Sequence, residues 1–443
     1  MSDWRLVVAV VAACFGACGG PMDGSLSTRG AGGASGGAHA TGGRGDAESG
    51  GAGGRADGAS GAGGTSLDAS ANDDGSADNR SEGGASGARD ATGEVRDGAA
   101  DSRDGSNADS AVSDGRVDAP TGAPAVRFVG RMDTADAKGP RFAWSGSGAV
   151  ARFSGTSVGV KLGGGQQYAV VLDGQLMPKL KPASTDLVTL AQGLSRGEHS
   201  IELYRRTEAE GGESQFLGFD FGAGGVLLAP PVAPARRLEV IGDSISTGFG
   251  IEGVDPCNFS FDTENHYLTY GAVAARAVGA ELVTVAWQGK GLVCNVGDGP
   301  CTNPLPSYYD RTLPNRADSK WNFASWQPHA VVINLGTNDF SSAVDPTADE
   351  FANGYVAFLR RIRGNYPSAF ILLTCGPMLG GTELEKVRTG IATAMATLAD
   401  ARIKSFVLPG NMQPYGCGGH PSVAVHQKMA DALVAELKKQ LGW

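Results

Sequence analysis

The chain has 443 residues, with 37 Lys and Arg against 47 Asp and Glu, for a formal charge of −10. That balance disfavours a nucleic-acid binder, which needs a basic face. The acidity is local: from Gly19 to Pro124 there are 17 acidic residues, 8 arginines and no Phe, Trp or Tyr. The chain from Ala125 onward is therefore close to neutral, and its charge is silent about a substrate.

Met1–Arg5 precedes an apolar run from Leu6 to Ala17. The run is shorter than the roughly 20 residues that span a bilayer and fits a secretory h-region. It ends in Phe-Gly-Ala-Cys-Gly-Gly, and Cys18 after small residues looks like the lipobox of bacterial lipoproteins. Val-Ala-Ala-Cys, ending at Cys14, competes with it. The expectation is a signal peptide over 1–18, an exported protein, and a membrane link through a lipid anchor only; plain secretion is the alternative. Residues 19–124, with 28 of the 69 glycines, bury too little apolar surface to offset their ordering entropy and are expected as a disordered linker.

From 125 to 234 short strand patterns follow one another. Arg152-Phe153, Val158–Leu162 and Ile201–Tyr204 alternate apolar and polar residues, and Tyr168–Leu172 runs into a hairpin-type Asp173-Gly174. A β-sandwich of the jelly-roll kind is expected. Arg205-Arg206-Thr207-Glu208 is read as a surface ladder, with a substrate rim as the alternative.

From 235 to 443 strands and helices alternate. Strands are expected at Arg237–Ile241, Leu282–Ala286, Ala330–Leu335, Phe370–Thr374 and Ser405–Leu408. Helices are expected at Tyr267–Ala280, Ala348–Tyr366, Glu383–Ala401 and Val423–Leu441. Such alternation argues for a parallel sheet covered on both faces, with sites at the carboxyl ends of its strands. Four polar groups fall on that edge: Gly242-Asp243-Ser244, Trp287-Gln288-Gly289-Lys290, Gly336-Thr337-Asn338-Asp339, and Gly419-His420-Pro421.

Each suits acyl transfer. A serine hydroxyl such as that of Ser244 is a weak nucleophile and needs a neighbouring base, for which His420 is the candidate. The backbone N–H groups of Ser244 and Gly289 and the amide of Asn338 are candidate oxyanion donors. His426 is an alternative base. Asp243 and Asp339 are read as structural. Trp287, Tyr308 and Tyr309 are candidates for stacking on sugar rings, with core packing as the alternative. His199, His266 and His329 lack metal-ligand spacing, so neither metal nor cofactor is expected. Cys294 and Cys301 would close a short loop; Cys375 and Cys417 are a candidate bridge, leaving Cys257 free.

Gly-Asp-Ser, the following Gly, Gly-Thr-Asn-Asp and His-Pro, in that order, resemble the SGNH (GDSL-type) hydrolases. Together with the β-sandwich, the Arg-Arg-Thr-Glu strand, Gly-Lys-Gly and Cys-Gly-Pro-Met, they resemble carbohydrate esterase family two. The resemblance covers about 125–443. It implies a three-layer SGNH (flavodoxin-like) α/β domain after the sandwich, Ser244 as nucleophile, His420 as base, and Ser244, Gly289 and Asn338 as oxyanion hole. It implies a serine esterase with an acetylated polysaccharide as substrate; a monomer is expected. The superfamily usually places an Asp two or three residues before the His; here Gly418 and Cys417 stand there. A Ser–His dyad steered by a backbone carbonyl is the expected substitute. A lipase or thioesterase of the same superfamily and a non-catalytic carbohydrate-binding surface protein are the alternative functions.

Overall fold

The computed structural model describes residues 122–123, 125–341, 344–410 and 412–443. The expected signal peptide, both candidate lipidation sites (Cys14 and Cys18) and almost all of the expected linker lie outside the described residues.

Eight strands form one antiparallel sheet: β1 (Arg127–Val129), β2 (Arg141–Phe142), β3 (Gly148–Gly163), β4 (Tyr168–Leu172), β5 (Gln175–Leu176), β6 (Val188–Arg205), β7 (Ser214–Asp220) and β8 (Val226–Leu228). Arg152-Phe153 and Val158–Leu162 turn out to be two halves of the single strand β3. Its pairing with β6 shifts register between Gly155 and Ser157. Before the shift Ala149, Ala151 and Phe153 face the core; after it Val158, Val160 and Leu162 do. Side chains alternate with period two, so only an irregularity lets odd positions and then even positions point to one interior. Asp173 and Gly174 both have positive φ, +50° and +77°. These are the values a two-residue type I′ turn needs between β4 and β5.

The rest of the chain builds a parallel sheet from β9 (Arg236–Gly242), β10 (Ala280–Ala286), β11 (Ala330–Asn334), β12 (Phe370–Cys375) and β13 (Ile403–Val407), in the order β10-β9-β11-β12-β13. This is the doubly wound order whose switch point lies between its first and third strands. Leu238, Val240, Ala330 and Val332 face α2 (Tyr270–Ala277) and α5 (Val423–Leu441). Ile241, Val331 and Ile333 face α3 (Ala348–Asn365) and α4 (Gly381–Leu398). α2 is shorter than the sequence pattern suggests. Thr269 caps it by accepting from Ala272 N–H, and a 3₁₀ turn, His266–Leu268, takes the place of its first turn.

The two sheets are tied by a buried ion pair. The Arg131 guanidinium lies 3.0 Å from the Glu239 carboxylate on β9, and both side chains are fully buried. The hydroxyls of Tyr309 and Tyr366 donate to the same carboxylate at 2.9 and 3.2 Å. Every strong charge there has partners, as burial demands.

Candidate active site

At the end of β9, Gly242 is a position where a Cβ would lie 2.1 Å from the Ser246 hydroxyl oxygen. Only glycine lets the strand turn this sharply into α1 (Ser244–Thr247). Asp243 caps that turn, accepting from Ile245 N–H at 3.0 Å. The Asp243 carboxyl is fully buried, and burial, reinforced by Asp339, pushes it up to about 7. It is a turn-former, as the sequence suggests. Ser244 opens α1, where a backbone N–H has no partner within the helix.

After the last strand, the chain from Gly416 to Pro421 returns to this edge. His420 Nε2 sits 2.9 Å from Ser244 Oγ. His420 Nδ1 sits 3.1 Å from the Gly418 carbonyl oxygen. A carbonyl only accepts, so Nδ1 carries the proton and Nε2 is left to accept from the serine. The imidazole packs on Phe249, ring centroids 4.1 Å apart, and Phe249 stacks in turn on Phe259 at 4.1 Å. Burial pushes the His420 imidazole down to about 4, although hydrogen bonding to the Gly418 carbonyl pulls the other way. The ring is therefore neutral at neutral pH.

This loop is tied at its base. Cys417 is bridged to Cys257, Cys417 N–H donates to the Gly250 carbonyl, and Gly418 N–H donates to the Cys257 carbonyl. The expected pairing of Cys375 with Cys417 is thus corrected: among the described residues Cys375 is the free cysteine, buried at the end of β12 within the main core. Cys294 and Cys301 are bridged.

Between these elements stand the two other blocks. Trp287 N–H donates to the Gly242 carbonyl at 3.3 Å, and the Asn338 amide donates to the Lys290 carbonyl at 2.9 Å. Gly289 lies between those two anchors with φ of +69°, a value that favours glycine. Asn338 also approaches Asp243 at 3.5 Å. Asp339 accepts from Leu292, Val293 and Cys294 N–H at 2.9, 2.6 and 3.1 Å, which holds the loop after Gly291. The structure thus brings Ser244, His420, Asn338 and the Gly289 turn to one edge. Among the described residues, no group of three or more His, Cys, Asp or Glu is placed to hold a metal.

Other expectations are corrected. Tyr309 is fully buried against Glu239 and presents no surface to a sugar. Its neighbour Tyr308 is half-buried beside Trp287, ring centroids 5.0 Å apart, with the Arg311 guanidinium 4.5 Å from the Tyr308 ring. His426, the alternative base, is fully buried, and its Nδ1 accepts from Tyr270 N–H at 3.1 Å. Nor do Arg205–Glu208 form a surface ladder; all four are buried. Arg205 can be buried because its guanidinium donates to the Thr207 and Glu208 carbonyls at 2.8 and 2.5 Å and to the Ser214 hydroxyl at 3.1 Å. Phe249 was not singled out from the sequence. The available signal was an aromatic residue between two glycines, a few residues past the serine.

A parallel sheet with a serine and an imidazole in contact at its switch point defines a hydrolase of the GDSL class. Residues 240–428 match the GDSL-like Lipase/Acylhydrolase family, and residues 128–231 match Carbohydrate esterase 2 N-terminal. A family two carbohydrate esterase from Clostridium thermocellum, solved in complex with cellohexaose, is 39% identical, with a TM-score of 0.68 over 72% of this chain and 100% of that one. A carbohydrate esterase family 2 enzyme from Corynascus thermopiles (Myceliophthora fergusii) is 32% identical, with a TM-score of 0.66 over 72% of this chain and 100% of that one. The Cellulase/esterase CelE of Acetivibrio thermocellus is 41% identical over 331 residues, which are 72% of this chain and 40% of that protein. This chain therefore matches well under half the length of CelE. The Acetylxylan esterase / glucomannan deacetylase of Cellvibrio japonicus is 26% identical over 72% of this chain and 90% of that protein. The chain belongs to carbohydrate esterase family two, a family of carboxylic ester hydrolases.

Proposed function

We propose that this protein is a serine esterase that removes O-acetyl groups from polysaccharides of the acetylxylan and glucomannan kind. The observation that carries the reading is the 2.9 Å contact between Ser244 Oγ and His420 Nε2. His420 takes the hydroxyl proton as Oγ attacks the acetyl carbonyl carbon. The carbonyl oxygen becomes an anion, received by the N–H groups of Ser244 and Gly289 and by the Asn338 amide. As the tetrahedral intermediate collapses, the carbon–oxygen bond to the sugar breaks. His420 returns the proton to that sugar oxygen, and an acetyl-serine remains. Water, deprotonated by the same imidazole, then attacks the acetyl carbon; the carbon–Oγ bond breaks, acetate leaves, and His420 returns the proton to Ser244 Oγ. Each oxyanion donor is worth about 10²–10³ in rate.

The polysaccharide substrate is supported by the relatives: one is solved with cellohexaose and another is named for acetylxylan and glucomannan. Half-buried Trp287 and Tyr308 are proposed as sugar-contacting aromatics. Export with a lipid on Cys18 belongs to the same proposal; metabolic labelling with a fatty acid should be lost in Cys18→Ala and kept in Cys14→Ala.

The test is acetate release from acetylated xylan and glucomannan and turnover of p-nitrophenyl acetate by Ser244→Ala and His420→Ala. Both variants should be inactive, and parent-level activity in both overturns the reading. Faster turnover of the p-nitrophenyl octanoate by the parent would instead favour a lipase or thioesterase. Polysaccharide binding with no acetate release would favour a non-catalytic binding protein.

A further inference from the structure

We propose that Glu208, contributed by the antiparallel sheet region, is a positioning residue that sets the Gly289 peptide in the oxyanion hole. This rests on the esterase reading above. Glu208 lies just past the end of β6, 80 positions from the residue it serves. Its Oε2 accepts from the Gln288 backbone N–H at 2.6 Å. On the other side of the turn, the Gly289 carbonyl accepts from Val296 N–H at 2.9 Å. The peptide unit joining 288 and 289, which carries the Gly289 N–H, is held from both sides.

The contact is continued by the next residues of the same segment. Ala209 packs with Ala143 and Leu313 against Trp287. The Ala209 carbonyl accepts from the Asn315 amide at 2.8 Å. The Gln288 side chain donates to the Glu210 carboxylate. Three consecutive residues thus grip the turn that precedes Lys290.

Shape alone does not explain a glutamate here. Its side chain is fully buried, and its Oε1 has no hydrogen-bond partner. Burial disfavours its charged form, and a second buried carboxyl, that of Glu264, adds to this. A buried oxygen without a donor costs stability. What the carboxyl supplies in exchange is an acceptor for one N–H that the strand pairing of β10 leaves over. A donor must be in place before charge develops on the substrate, so an anchored peptide lowers the barrier where a mobile one does not. By this account the antiparallel region is part of the catalytic apparatus.

The test compares Glu208→Ala, Glu208→Asp and Glu208→Gln in the full chain, using p-nitrophenyl acetate and methylboronic acid. The tetrahedral boron adduct on Ser244 mimics the oxyanion. Glu208→Ala and Glu208→Asp should lower kcat by about 10²-fold, the loss of one donor. KM should hold, and the inhibition constant for the boronic acid should rise in step with the loss of kcat. Glu208→Gln keeps an oxygen acceptor at the same reach and should recover most of kcat. If Glu208→Ala does not fold, Glu208→Asp decides, since it keeps a carboxylate and only draws it back. Parent kcat in folded Glu208→Asp, or a loss of kcat with unchanged boronic acid inhibition, overturns the inference. Activity surviving in Ser244→Ala would overturn the esterase reading itself, so the two failures are told apart.

Discussion

The antiparallel region meets the parallel sheet through two buried charged contacts, and they are built differently. At Arg131 and Glu239 the charges pair directly, and two tyrosine hydroxyls complete the carboxylate. At Arg205–Glu208 the guanidinium is spent on two carbonyls and the Ser214 hydroxyl, while Glu208 faces a second buried carboxyl, that of Glu264, and its own Oε1 has no hydrogen-bond partner. In the first, the carboxylate has a counter-charge and two hydroxyl donors, and the Arg131 Nε alone lacks a partner. The second sets two buried carboxyls side by side, each disfavouring the other's charged form, and reaches the turn beside the nucleophile. A contact between opposite charges holds two layers together. A contact between two carboxyls at a reactive edge adds no such attraction, in keeping with the positioning role proposed for Glu208.

That contrast is broken most directly at its first term. Arg131→Met leaves Glu239 buried without a counter-charge and should cost about 3–5 kcal/mol, read as a lower urea midpoint. The kcat of the remaining folded enzyme should not change. A loss of kcat in that variant would put both contacts on the same footing.

A slightly smaller effect is expected at the tie that holds the His420 loop. Replacing Cys257 and Cys417 together by Ser removes a link across 160 positions and should cost about 2–4 kcal/mol. Unlike Arg131→Met, it should also lower kcat, because Gly418 follows Cys417 directly and His420 stands three positions on.

The second contact is sharpened by pH. Burial pushes the Glu264 carboxyl up from 4.5 to about 8. Between those values the folded chain holds a proton that the unfolded chain releases, so stability falls as pH rises through that window. Glu208 is displaced in the same direction. Glu264→Gln should flatten the decline in urea midpoint from pH 5 to 8, and an unchanged decline would remove the carboxyl pair from the explanation.

The smallest expected effect concerns the base. With the imidazole pushed down to about 4, the acidic limb of kcat/KM should fall near pH 4. Phe249→Ala admits water to the ring, and the limb should move up towards the free imidazole value of about 6.5. A limb that stays in place would show that Phe249 does not shield the base.

Much of this was legible in the chain because it follows from local pattern. The alternation of strand and helix places Ser244 and Asn338 at strand ends, and the switch point between β9 and β11 then brings them together. The missing carboxylate before His420 is visible by inspection. What was hidden depends on partners far away in sequence. Arg205–Glu208 look like surface residues until Ser214, Glu264 and Gln288 surround them. Tyr308 and Tyr309 are equivalent by type, yet successive side chains point apart, and only the ion pair at Glu239 decides which one is buried. Cysteine pairing needs distances: the loop geometry brings Cys417 to Cys257 while Cys375 stays in the core.

The hydrogen bond from His420 to the Gly418 carbonyl has an evolutionary corollary. An aspartate in that role is exposed to a single codon change or to protonation in acid. A main-chain oxygen does not titrate, although its residue here, Gly418, has φ of +62°, a conformation that favours glycine. Mutation displaces this guide by disturbing the turn at Gly418, so the imidazole's alignment is inherited with the conformation of that loop and not with a carboxylate side chain.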